Sequence, residues 1–264
     1  MAPGVARGRE GPGFDPTPRP ALPYALFPPE ERALLSDLLL ALPMLLFALV
    51  AHEVAHGWAA LRQGDDTAYK LGRLTFNPLP HIDPVMTLLV PVALWVLSSG
   101  QFTFGGARPV PITPRNFRNY RRGDLIVSSA GVITNFVIAL ALTALFVGIG
   151  VAHDLLGGAG TSTVDAAQRM LVWGIFLNLI LGVFNLIPIP PLDGSRLLYH
   201  ALPPALGAQY RALDRFGFLI LFAFMFLLRP VLGWLMQPAW WGFNQLLNLA
   251  VPFAVGDGWN IFQS

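Results

Sequence analysis

The chain has 264 residues, 54% hydrophobic and only 12% charged, and 17 Lys+Arg against 15 Asp+Glu give a formal charge of +2. A soluble domain carries about a quarter charged residues, so this composition excludes an ordinary soluble fold and points to an all-α polytopic membrane protein. No basic patch is interleaved with aromatics, which argues against a nucleic-acid partner. The absence of Cys excludes disulfides and thiolate ligands, leaving His, Asp and Glu to hold any metal.

Residues 1–32 are rich in Pro and Gly and lack periodicity, so they read as a disordered tail. They lack the apolar stretch and small-residue cleavage site of a signal peptide, so they are expected to be retained. Pro28-Pro29-Glu30-Glu31 is a helix start, with Pro suited to the first turn and the acids facing the positive end of the dipole. The apolar run 34–60 that follows is long enough to cross a bilayer, with Pro43 as an expected kink.

Near the C-terminal end of that run stands Ala51-His52-Glu53-Val54-Ala55-His56. Residues four apart share a helix face, so His52 and His56 present two imidazoles side by side, the spacing one zinc ion needs from two of its ligands. Glu53 falls beside them as a candidate general base. A lone buried His is most often a satisfied core residue. Two His and a Glu in this order inside hydrocarbon are costly and mark a functional site.

Residues 61–83 are polar and irregular. Within them Leu71-Gly72-Arg73-Leu74-Thr75-Phe76-Asn77-Pro78 reads as a short strand or hairpin arm whose free edge could pair with an extended substrate. His81 and Asp83 suit turn and helix-cap chemistry, or a contact with substrate. The apolar stretch 84–99 has 16 residues with Pro91 in its middle, short of the ~20 a span needs. It is expected to enter and return without crossing. The loop 100–123 holds Gly105-Gly106, Arg108-Pro109-Val110-Pro111 and five arginines.

A second span covers 124–151 and carries Gly131 and, four residues on along the same face, Asn135. That pairing suits close helix packing with Asn135 as interhelical glue. A third span, 170–187, ends in Asn185-Leu186-Ile187-Pro188-Ile189-Pro190-Pro191-Leu192-Asp193-Gly194, where prolines stop the helix and Gly194 permits a tight turn beside Asp193. Beyond a polar stretch with Arg196, His200, Arg211 and Arg215, the apolar run 216–236, the interfacial pair Trp240-Trp241 and a short helix over 242–255 complete the chain; no chemistry is legible there.

Taken together, His52-Glu53-x-x-His56, Gly131-x-x-x-Asn135 and Asn185…Pro190-Pro191-Leu192-Asp193-Gly194 resemble the site-2 protease family of intramembrane zinc metalloproteases. Gly72 to Asp83 and Ala107-Arg108-Pro109-Val110-Pro111 look like its compact bacterial branch. Val132 stands where the family often has Pro, and Met86-Thr87 where it usually reads Gly-Thr. The resemblance covers roughly 34–200 and leaves no room for a PDZ or CBS domain in the residues that remain. It implies a catalytic core of three helices over 33–216, with accessory C-terminal membrane helices over 217–264. It also implies one Zn2+ per chain on His52, His56 and Asp193, Glu53 as acid/base, and a transmembrane protein as substrate in the lipid of the cell membrane.

Asn135, Asn77 and His81 are candidates for binding the substrate backbone or its oxyanion, with packing as the other reading of Asn135. A zinc transporter would need a relay of ligands through the membrane, and beyond the first motif the interiors of the spans before Asp193 offer Asn135, Asn178 and Asn185. An inactive helix-binding scaffold would not need the complete set of catalytic residues. Gly194-Ser195 lacks the setting of a serine nucleophile. Residues 61–123 and 190–216 together carry eleven Lys+Arg against six elsewhere, which turns the zinc end of the helices towards the cytoplasm. Oligomeric state has no signature in the sequence.

Overall fold

The computed structural model describes residues 29–97, 105–256 and 259. The tail expected over 1–32 lies outside them as far as position 28, and helix is already formed at Pro29. The chain divides into compact units between Leu39 and Leu40. The first contributes the opening of α1; all contacts described below lie within the second.

Among the described residues three helices are each long and apolar enough to cross a membrane. They are α1 (Pro29–Gln63), α4 (Tyr120–Leu155) and α5 (Thr161–Leu186). Helix α1 runs on through Pro43, which withholds one backbone N–H without ending it. Helix α4 starts where the Asn119 side chain accepts the Arg122 N–H at 3.0 Å. Beyond α5 come α6 (Asp193–Ala201), α7 (Pro204–Arg211), α8 (Gly217–Leu227), α9 (Arg229–Leu235) and α10 (Gln237–Ala250). The stretch Pro204–Leu227 meets α9 at 96°, and Pro230 in the first turn of α9 suits that break. Helix α10 packs on α5, with Phe243 and Trp240 rings 5.3 and 5.0 Å from Phe176.

The radial pattern suits hydrocarbon. On α4, Ile133, Val137 and Leu140 are 57–58% exposed, whereas Asn135 on the same helix and Asn178 on α5 are 0% exposed. Lipid is as apolar as Leu, so helices meet through close packing and internal hydrogen bonds while leucines and valines face outward.

Between α1 and α4 the expected strand over 71–77 is absent, and no strand occurs among the described residues. A short helix α2 (Thr67–Lys70) occupies the start of this stretch. Gly72, at φ +64°, closes it by directing the Arg73 N–H to Ala68 O at 2.9 Å and its own N–H to Tyr69 O at 3.0 Å. The next residues hydrogen-bond locally, Asn77 N–H to Thr75 Oγ1 and Leu79 N–H to Asn77 Oδ1, in turns rather than in a strand ladder. A π-helical turn (Pro84–Leu89) then runs into α3 (Val90–Leu97). Asp83 caps it, accepting the Val85 and Met86 N–H groups at 2.9 and 2.8 Å. The chain reappears beside its own entry point: Gly106 N–H donates to Met86 O at 3.0 Å, Thr87 Oγ1 to Gly106 O at 2.6 Å and Arg108 N–H to His81 O at 2.7 Å.

Asp65 fastens this returning loop to the end of α1. It is 1% exposed. Its carboxylate accepts the Thr113 N–H at 2.6 Å, Asn116 Nδ2 at 2.8 Å, and the hydroxyl and N–H of Thr67. Burial alone would raise its pKa, but these donors outweigh burial and hold the carboxyl below its ordinary value. The stability it contributes is therefore full above about pH 4, the ordinary Asp value, and is lost as pH falls through the depressed folded value. Asp65→Asn should destabilise the detergent-solubilised protein at neutral pH by about 1–3 kcal/mol, the cost of leaving buried donors unpaired. Thermal unfolding at several pH values checks this: the gap to wild type should close below about pH 4.

Candidate metal centre

His52 and His56 lie one turn apart on the buried face of α1, both 7% exposed. Asp193 opens α6, seven residues beyond the end of α5 at Leu186. The backbone there is drawn tight: a Cβ on Gly194 would collide with Leu186 O and Ile187 O, so only glycine fits after Asp193. The fold brings the three side chains to one point. The two Nε2 atoms are 3.0 Å apart, and Asp193 Oδ2 lies 3.3 Å from His52 Nε2 and 3.2 Å from His56 Nε2. Among the described residues this is the group of three that could hold a metal ion.

Outer hydrogen bonds decide which way the imidazoles face. His56 Nδ1 lies 2.7 Å from the Val127 carbonyl, which can only accept, so Nδ1 carries the proton and Nε2 keeps its lone pair. His52 Nδ1 lies 2.6 Å from Asn135 Oδ1. That amide is itself fixed: Asn135 Nδ2 donates to Asn178 Oδ1 at 2.9 Å and to Ala48 O at 3.5 Å, and Asn178 Nδ2 donates to Gly174 O at 2.8 Å. A chain from Gly174 through Asn178 and Asn135 thus makes His52 Nδ1 a donor and leaves its Nε2 bare. Gly131, one turn before Asn135, has no side chain because a Cβ there would sit 2.5 Å from His52 Cε1 and His56 Nε2.

The result is three acceptor atoms 3.0–3.3 Å apart, with Asp193 Oδ2 buried and lacking a hydrogen-bond partner. Tetrahedral zinc with ligands at about 2.0–2.1 Å sets them about 3.3 Å from one another, so this donor set fits that ion. Glu53, adjacent to His52, is half-buried, and its Oε2 accepts the Val110 N–H at 2.7 Å from the returning loop.

The remaining candidates separate. Asn135 donates to Asn178 Oδ1 and, at 3.5 Å, to Ala48 O, and its Oδ1 faces His52 Nδ1. Asn77 is exposed and shapes a local turn. His81 is 1% exposed; burial and the Arg73 charge hold its pKa below the ordinary value, against the Thr75 hydrogen bond and Glu53. Its Nε2–H donates to Thr75 O at 3.0 Å, so its buried Nδ1, which has no partner, is a bare acceptor. Sequence reasoning missed the Val127 carbonyl, since any residue supplies one. It also found no chemistry in the stretch after Gly194, where Arg196 and His200 both reach Asp124 of α4. An acid at the first turn of a span with a His seven residues past Asp193 was the available signal.

Comparison with known proteins agrees with this chemistry. The profile of Peptidase family M50 matches residues 148–228. YwhC of Bacillus subtilis (strain 168) is 38% identical over 176 residues, covering 67% of this chain and 75% of that protein. Rip2 of Mycolicibacterium smegmatis is 33% identical over 208 residues, 75% of this chain and 71% of its own. RasP of Geobacillus kaustophilus is 35% identical over 82 residues, 29% of this chain and 20% of its own. The names of all three describe zinc metalloproteases. No solved structure matches the chain. The shared length with YwhC and Rip2, added to a zinc-fitting donor set among membrane-spanning helices, makes this chain a member of peptidase family M50, the site-2 type of intramembrane zinc metalloprotease.

Proposed function

We propose that His52, His56 and Asp193 hold the zinc ion, and that Glu53 is the acid/base with which the protein hydrolyses peptide bonds in or near transmembrane helices of other membrane proteins. The observation that carries this reading is the convergence of two imidazole Nε2 atoms and a carboxylate oxygen within 3.3 Å of one another. Such a set is repulsive unless a cation lies among them. When bound, zinc supplies Lewis acidity towards the scissile carbonyl and acidifies water.

Glu53 Oε2 is held by the Val110 N–H, so Oε1 is the atom that takes the proton from the attacking water and hands it to the leaving amine. The same N–H keeps the carboxylate from swinging onto a histidine. His81 Nδ1 offers an acceptor to a substrate backbone N–H, with Glu53 and Arg73 as its charged neighbours. A substrate helix hides its N–H groups and carbonyls in its own hydrogen bonds, so it must be locally unwound to use that acceptor.

The same reading implies a topology. His52 and His56 lie near the C-terminal end of α1, and Asp193 just beyond the C-terminal end of α5, so these helices run in one direction with α4 returning between them. The segment 84–97 then enters and leaves on one side. Its 14 residues are short of a span, and Gly106 hydrogen-bonds Met86 near its start. The excess of Lys+Arg beside this end turns the zinc site towards the cytoplasm.

Glu53→Gln keeps the donors and removes the proton acceptor. Zinc content should stay near one per chain while cleavage of a generic transmembrane substrate falls by ~10² or more. Loss of zinc, or retained cleavage, contradicts the assignment. Asp193→Asn should instead weaken zinc binding as well as rate. For topology, Tyr69→Cys, Arg115→Cys and Leu206→Cys in this Cys-free chain should all react with an impermeant thiol reagent from one face, and Leu156→Cys from the other. Labelling of positions 69 and 115 from opposite faces would make 84–97 a true crossing.

A further inference from the structure

The polar contacts around α6 have no part in the mechanism above. Helix α6 has nine residues, and Asp193 is the first. Three and seven residues on, Arg196 and His200 lie along one face and converge on Asp124 in the opening turns of α4. Asp124 is 1% exposed. Its Oδ2 accepts from His200 Nε2 at 2.7 Å and its Oδ1 from Arg196 Nη1 at 3.2 Å. Arg121, one turn earlier on α4, donates to His200 O at 3.0 Å, closing the end of α6. Arg211 of α7 lies over the rings of both Tyr120 and Tyr199, 5.7 and 4.8 Å from their centroids, adding a second tie between the same elements.

A carboxylate this buried is tolerated only while both oxygens are satisfied, so the contact is all-or-none. A nine-residue helix holds no fixed position by itself. The contact also extends a pattern already present on α4. Along one stripe of that helix, Asp124 meets α6, Val127 O holds His56, Gly131 admits both imidazoles and Asn135 holds His52. The spacings of three, four and four residues keep all of them on one face.

We propose that Asp124 is a positioning residue for Asp193. Through His200 and Arg196 it docks α6 on α4 and sets where the Asp193 carboxylate stands relative to the two histidines. One helix then aligns all three donor side chains. This rests on the reading of Asp193 as a zinc ligand.

The test is a double-mutant cycle read as zinc affinity against a competing chelator, on full-length protein in detergent. Wild type is compared with Asp124→Ala, Asp193→Ala and the double variant, with His52→Ala as control. Asp124→Ala should weaken zinc binding about 10–100-fold, the usual loss when the partner that orients a ligand is removed. The double variant should bind no more weakly than Asp193→Ala alone, because the ligand that Asp124 serves is already gone. The visible spectrum of the cobalt(II)-loaded Asp124→Ala protein should move towards that of Asp193→Ala. His200→Gln, which keeps a donor to Asp124, should stay near wild type.

Unchanged affinity in Asp124→Ala, or losses that add in the double variant, overturn the proposal. So does a fall in thermal stability with affinity and cobalt spectrum unaltered, since that marks packing alone. If Asp124→Ala yields no monodisperse protein, the same cycle with Asp124→Asn decides. A wild-type chain that binds zinc no better than His52→Ala would instead refute the ligand assignment, and the positioning role with it.

Discussion

Lone-pair repulsion is the interaction on which this structure turns. Two imidazole nitrogens and a carboxylate oxygen face one another at 3.0–3.3 Å, and with each Nδ1 turned to an outer acceptor it is the two Nε2 atoms that face the carboxylate. Nothing inside such a cluster holds it together without a cation. It must be held from outside, and the surrounding architecture is a set of external restraints. Helix α4 supplies them for the histidines, through one backbone carbonyl and one amide side chain. The price of this arrangement is a column of buried polar groups running through the bundle.

The membrane makes that column possible. In water, Asn135 and Asn178 could trade their partners for solvent. In hydrocarbon the alternative to Asn135–Asn178 and Asn178–Gly174 is an unsatisfied amide, so the network stays closed and its orientation is transmitted to His52. The absence of side chains at Gly131 and Gly194 belongs to the same scheme. The first lets α4 approach the imidazoles, and the second lets α6 start against the end of α5. Outward, the same helices present Ile133, Val137 and Leu140, and so carry a polar interior within an apolar surface.

The returning loop joins the site from the other side. Asp65 pins it at Thr113 and Asn116, Arg73 reaches the carbonyls of Arg108 and Pro109, and between these ties Val110 offers its N–H to Glu53. Pro109 and Pro111 lack an N–H, so Val110 stands as an isolated donor between two residues that have none. Arg108 N–H is spent on His81 O, which ties the buried histidine into the same framework.

The sequence by itself determined the features that are local in the chain. Four-residue spacing put His52 and His56 on one face, apolar length marked the spans at α1, α4 and α5, and prolines ended the third before Asp193. Those follow from helix periodicity and hydrocarbon thickness, which act within a single segment. The strand expected over 71–77 failed because a strand needs a partner, and here Gly72, Thr75 and Asn77 satisfied the backbone through turns instead. Tertiary structure alone decided the rest. The Val127 carbonyl has no sequence signature, Asp124 and His200 stand 76 positions apart, and Asp65 meets Thr113 across 48. Whether a polar side chain orients a ligand or faces solvent depends on what another helix brings within 3 Å of it. That is set by how whole helices dock, which no single segment encodes.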